Sequence, residues 1–118
     1  MAEASLVYLV QDLFFVAKIR DAADRLGIAS RSASDARALG AAARGASLVI
    51  VDLRRTDAMA ALEALAADPA TARIRSVGFV DHENVEMIRE AAARGCTTVL
   101  SKRRFASELP AILESSRG

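Results

Sequence analysis

The apolar positions of the chain fall into two alternating patterns. Short continuous apolar runs predict buried strands: β1 at residues 6–10, β3 at 48–53, β4 at 77–80 and β5 at 97–100, with a weaker β2 at 28–32. Between these runs, apolar residues recur at helical spacing. Val16, Ile19, Ala23 and Leu26 fall on one face of α1, and a short alanine-rich α2 covers residues 34–44. Leu62, Leu65 and Ala66 mark α3; Val85, Ile88 and Ala92 mark α4; Phe105, Leu109, Ile112 and Leu113 mark α5. Gly27, Gly45 and Gly95 each follow such a segment, where a helix C-terminus favours glycine. Strict alternation of strand and helix implies a parallel sheet covered on both faces. Five strands in 118 residues suit one α/β domain with a doubly wound sheet of order 2-1-3-4-5, spanning residues 1–118.

Composition narrows the function classes. Hydrophobic residues make up 53% and charged residues 26%, a globular balance with no disordered tract. A net charge of +1 and an aromatic content of 4% argue against a nucleic-acid surface, which needs a basic excess or stacking platforms. Cys96 is the sole cysteine and His82 the sole histidine, so an internal disulfide and a thiolate- or histidine-rich zinc site are both excluded. A reducing, cytoplasmic setting is expected. Glu3 stands where a signal peptide needs positive charge, and no apolar run approaches membrane-spanning length. The chain stops shortly after the last predicted helix, so no output domain is expected.

In a doubly wound sheet, ligands meet the carboxyl ends of the strands, where β1 and β3 diverge. There β1 ends in Gln11-Asp12, β3 in Asp52-Leu53-Arg54, β4 in Asp81-His82 and β5 in Ser101-Lys102. Three carboxylates and an ammonium would share one edge. Carboxylates from separate strands suit a hard cation such as Mg²⁺, and the lysine suits an anion or the carboxylates themselves. No glycine-rich fingerprint follows β1, which disfavours dinucleotide binding, and no nucleophile–base motif marks an enzyme.

These residues resemble the signature of response-regulator receiver domains. Gln11-Asp12 falls on the acidic pair after β1, Asp52 on the phospho-acceptor that ends β3, and Lys102 on the lysine after β5. The stretches 68–74 and 91–96 are similar to the α3–β4 connection and the small-residue run before β5. The resemblance covers essentially the whole chain. It implies a phosphorylatable Asp52 with Lys102 on the phosphoryl group. It also implies Mg²⁺ held by Asp12, Asp52, the Arg54 backbone carbonyl and, more weakly, Gln11. A histidine kinase or a downstream signalling protein would be the partner, and the α4-β5-α5 face, here residues 85–113, would carry partner contacts or a homodimer.

Departures from the signature point to an atypical or pseudo-receiver. Gln11 removes one negative charge from the metal site. Asp81 replaces the hydroxyl at the switch position that would bond a phosphoryl group, and a carboxylate there repels one. The aromatic switch position on β5 holds Thr98 or Val99, and Arg103 follows Lys102 where proline is usual. Several side chains keep two readings. Asp12 is a metal ligand or the N-cap of α1. Lys102 binds phosphate or neutralises Asp12, Asp52 and Asp81. Asp81 caps α4, adds a metal ligand or mimics activation by its fixed charge. Arg54 is solvated or folds over the site as a cation. Phe105 is expected to border the α4-β5-α5 partner surface, and Cys96 to be a small buried hydrophobe.

Overall fold

A computed structural model of the chain describes residues 4–116; Glu3, on which the signal-peptide argument rests, lies outside them. Its elements run β1 (Leu6–Leu9), α1 (Leu13–Arg25), β2 (Ser30–Ser32), α2 (Ala36–Ala43) and β3 (Leu48–Asp52). They continue with α3 (Ala58–Ala67), β4 (Arg75–Val80), α4 (Val85–Ala93), β5 (Thr98–Ser101) and α5 (Lys102–Ser115). All strands are parallel, in the order β2-β1-β3-β4-β5 expected from the alternation. Element ends shift by one or two residues from the sequence reading, most visibly in β4, which starts at Arg75.

The strand sequences are apolar throughout because both faces are buried, and the pleat divides them between two cores. Leu6 and Tyr8 of β1 with Leu48 and Ile50 of β3 face α1 and α5, where Phe15, Ile19, Phe79, Phe105, Leu109 and Leu113 complete one cluster. Val7, Leu9, Val49 and Val51 point the other way, onto Leu39 of α2, Leu62 and Leu65 of α3 and Ala91 of α4. The ring of Phe79 stacks on that of Phe105 with centroids 4.4 Å apart and an interplanar angle of 11°. Phe15 closes the trio at 4.8 Å from Phe79 and 5.7 Å from Phe105.

Three sequence expectations need correction. Phe105 does not border a partner surface: it is fully buried in the α1–α5 core, because α5 turns its 105/109/112 stripe onto the sheet. Helix α4 packs through Ala91, with Met87 and Ile88 beside it, whereas Val85 is 51% exposed and Ala92 points to solvent. In α3, Ala58 and Ala61 join Leu62 and Leu65 on the buried face and Ala66 does not. In both short helices alanines flank the apolar stripe, and their small side chains let the helix rotate onto a neighbouring face. Gly27, Gly45 and Gly95 do take positive φ, as the helix-end reading required. Cys96 is buried, and burial pushes its thiol pKa up.

Candidate functional site

At the carboxyl edge of the sheet, the pleat that sends Ile50 toward α1 and α5 sends Asp52 the same way. Asp52 ends β3 at 2% exposure, opposite Phe79 of β4. A buried carboxylate needs hydrogen-bond donors. Two backbone amides supply them: Gln11 N–H donates to Oδ2 over 3.3 Å, and Arg54 N–H donates to Oδ1 over 3.1 Å. The β1–α1 junction and the β3–α3 loop are thereby drawn around one side chain.

Asp12 precedes α1 with extended backbone, and its Oδ1 accepts the amide of Phe14 at 2.9 Å. The capping reading of Asp12 therefore holds, and it leaves Oδ2 turned toward Lys102, whose Nζ lies 4.0 Å away. Lys102 opens α5 directly after Ser101, whose hydroxyl caps that helix by accepting the Arg104 amide at 3.2 Å. The cap fixes where the lysine leaves the backbone.

Asp81 does not cap α4: Asn84 is the residue preceding that helix, and the Asp81 side chain turns back across the sheet edge. Its Oδ2 accepts Arg54 Nη1 at 3.1 Å, and its Oδ1 lies 3.8 Å from Lys102 Nζ. Arg54 thus folds over as a cation instead of standing free in solvent. His82 is exposed beside Glu83 at 3.7 Å, away from the cluster.

Gln11, Asp12, Asp52, Arg54 and Lys102 line one open cleft of about 370 Å³. Five of the residues named from the sequence for this edge are thus brought together, Asp81 reaches them through Arg54 and Lys102, and His82 does not join them. Among the described residues, no group of three His, Cys, Asp or Glu side chains could hold a metal ion. The resemblance would put Mg²⁺ on the Asp12 and Asp52 carboxylates, the Arg54 carbonyl and, more weakly, Gln11. One of those carboxylates already faces an ammonium, so the protein's own cations supply charge compensation that a metal would otherwise bring.

Sequence reading missed the bracing of the β3–α3 loop. Arg55 Nε donates to Asp57 Oδ1 at 2.8 Å, and its Nη2 donates both to Asp57 Oδ2 and to the carbonyl of Ser34, each at 3.1 Å. Asp57 Oδ2 also accepts the Ala36 amide, at the first turn of α2, over 2.9 Å. The Arg55 guanidinium and these hydrogen bonds hold the Asp57 carboxyl below its usual pKa, and Asp57 raises that of Arg55. The Arg-x-Asp spacing is a weak signal in sequence, since its second anchor lies 21 residues upstream.

Comparison with solved structures identifies the architecture. The receiver domain of NtrX from Brucella abortus superposes with a TM-score of 0.78 at 22% identity, covering 94% of this chain and 96% of that one. The fold is that of a response-regulator receiver domain. The chemotaxis response regulator CheY4 of Vibrio cholerae matches at TM-score 0.79 and 17% identity, over 98% of this chain and 99% of that one. The phosphorylated cyanobacterial phytochrome response regulator RcpA matches at TM-score 0.72 and 18% identity, over 97% and 91%. Neither a protein-family model nor a curated protein sequence matches the chain. On this receiver fold, no helix among the described residues is long and apolar enough to cross a membrane.

Proposed function

We propose that the chain is a non-enzymatic, receiver-like signalling domain of two-component type that works through protein–protein contacts and not through phosphorylation of Asp52. The observation that carries this reading is the double engagement of Asp81, with Arg54 at 3.1 Å and Lys102 at 3.8 Å. The lysine that would meet a phosphoryl group is thereby shared between two carboxylates. The switch position offers a negative charge where a hydroxyl would be needed to bond the phosphoryl oxygens. Contacts would run through the α4-β5-α5 face, where Val85 is half exposed and Arg89 is accessible.

A second reading is favoured by one feature of the same cleft. Asp52 is buried in the cleft that Asp12, Arg54 and Lys102 also line, which supports a phospho-acceptor role. In that reading a histidine kinase is the donor. An Asp52 oxygen forms the new bond to phosphorus as the donor's nitrogen–phosphorus bond breaks. Mg²⁺ on Asp12, Asp52 and the Arg54 carbonyl would offset the charge that builds up.

Titration of the ¹⁵N-labelled chain with Mg²⁺ and then beryllofluoride, followed by NMR, separates the two. The first reading expects no amide shifts around Asp52 and Lys102 after either addition, and no acyl-phosphate mass after incubation with acetyl phosphate. Saturable shifts spreading from Asp52 to α4, β5 and α5 would overturn it in favour of the second.

A further inference from the structure

Arg54 commits its backbone and its side chain to two different carboxylates. Its amide donates to Asp52 Oδ1 over 3.1 Å, and its guanidinium reaches Asp81 Oδ2, also at 3.1 Å. The loop that carries it is held from both sides. Leu53 N–H donates to the Phe79 carbonyl of β4 at 3.1 Å, and the neighbouring Arg55 is tied to Asp57 and to the Ser34 carbonyl before α2. With Arg55 committed to the α2 side, Arg54 leaves the loop toward the end of β4, at the cleft it lines with Asp12, Asp52 and Lys102.

Each carboxylate oxygen of this edge already meets a donor or a cation. Both Asp52 oxygens accept backbone amides, from Gln11 and from Arg54. Asp12 Oδ1 accepts the Phe14 amide, and its Oδ2 lies 4.0 Å from Lys102 Nζ. Asp81 Oδ1 lies 3.8 Å from the same ammonium, and Oδ2 holds Arg54. The formal negative charges of Asp12, Asp52 and Asp81 thus share the edge with the positive charges of Arg54 and Lys102, a balance of −1. Without Arg54 that balance would be −2, the charge that one divalent cation cancels. Mg²⁺ gives up its water reluctantly and needs concentrated negative charge to do so. A guanidinium fixed beside the carboxylates removes part of that charge and repels the incoming ion even in a solvated cleft. The residues of the cleft therefore do not fit a divalent ion while Arg54 is in place.

We propose that the Arg54 guanidinium is the resident cation of this cleft and excludes the divalent ion that such a carboxylate cluster would otherwise collect. The proposal rests on the reading that the domain works without phosphorylation of Asp52, and deepens it. The sheet edge is held together by a charge that the chain carries itself, independent of any supply of Mg²⁺.

The test is Mg²⁺ titration of the full ¹⁵N-labelled chain, of Arg54→Ala and of Arg54→Lys, at constant ionic strength. The Arg54 and Asp81 side chains are 51% and 45% exposed, so neither substitution threatens the fold, and circular dichroism should be unchanged. Arg54→Ala is expected to gain saturable shifts at the amides of Gln11, Asp52 and Lys102. Its melting temperature should rise with Mg²⁺, because only the folded chain assembles the cluster. Its affinity should exceed that of the parent by about tenfold, the size expected for removing a unit charge a few ångströms from a divalent ion in a solvated site. Arg54→Lys, which keeps the charge, should respond as weakly as the parent. Arg54→Ala as unresponsive as the parent, or Arg54→Lys as responsive as Arg54→Ala, would overturn the proposal. Incubation with acetyl phosphate probes the underlying reading separately. An acyl-phosphate mass on the parent would overturn both, whereas a parent that takes no phosphoryl group beside a silent Arg54→Ala would overturn this proposal alone.

Discussion

Arg54 Nη1 donates to Asp81 Oδ2 across 3.1 Å and ties the β3–α3 loop to the end of β4. Asp81 also faces Lys102, so one carboxylate engages both cations of the cleft. Replacing it with the hydroxyl that the fold ordinarily carries there should release both. Asp81→Thr is expected to gain a beryllofluoride-dependent NMR response at Asp52, where the unmodified chain is expected to stay silent. Arg54, Asp81 and Lys102 are all partly solvated, so folding stability should change by only about 1 kcal/mol or less. An Asp81→Thr chain as silent as the parent would mean that Asp81 is not what closes the site.

The stacked pair Phe79 and Phe105 lies beneath this edge and fixes how α5, and with it Lys102, meets the sheet. Phe105→Ala should cost about 3–5 kcal/mol, read as a lower urea midpoint with an unchanged slope. Because Phe105 is fully buried, the loss should appear in folding stability and not in any partner contact of the intact fold.

Gly78 sits on β4 against the root of the β3–α3 loop. A Cβ built there would meet Leu53 Cδ2 at 3.0 Å and its Cγ at 3.1 Å. Leu53 is itself buried and has little room to give. Gly78→Ala is therefore expected to destabilise by about 1–3 kcal/mol and to disturb the amide of Arg54, the next residue in the loop. An unshifted Arg54 amide would show that Leu53 absorbs the methyl group without moving the backbone.

The Arg55–Asp57 clamp gives stability a defined pH dependence. Asp57 titrates lower in the folded chain than its ordinary value of 3.8. Its contribution is then fully present above about pH 4 and is lost as pH falls through the folded value, because the unfolded chain takes up the proton first. Asp57→Asn should flatten that part of the acid-side stability profile, with a loss near neutral pH of about 1–2 kcal/mol for a bidentate pair whose side chains are only 20% and 26% exposed. Superimposable profiles for the two chains below pH 4 would remove the clamp as the cause.

Much of the fold was legible before any coordinates. Both faces of a doubly wound sheet are buried, so its strands read as unbroken apolar runs, and positive-φ glycines punctuate the helices. The order of the runs then brought Gln11, Asp12, Asp52, Asp81 and Lys102 to one edge, because a parallel sheet aligns all its carboxyl ends.

Side-chain commitments at that edge belonged to the tertiary structure. Asp12 and Asp81 both precede a helix, and spacing alone gave each the same capping role. Asp12 takes it, whereas Asp81 turns to Arg54, 27 residues earlier in the chain and adjacent only once β3 and β4 have paired. Phe105, expected at a partner surface, proves to be core once α5 is laid on the sheet, and Arg55 found its second anchor only when α2 and the β3–α3 loop came together. Local pattern determines which segments must be buried. Which polar atom satisfies which other is decided by distances that exist only in the folded chain, where an unpaired charge near the interior is costly and the nearest available partner takes it.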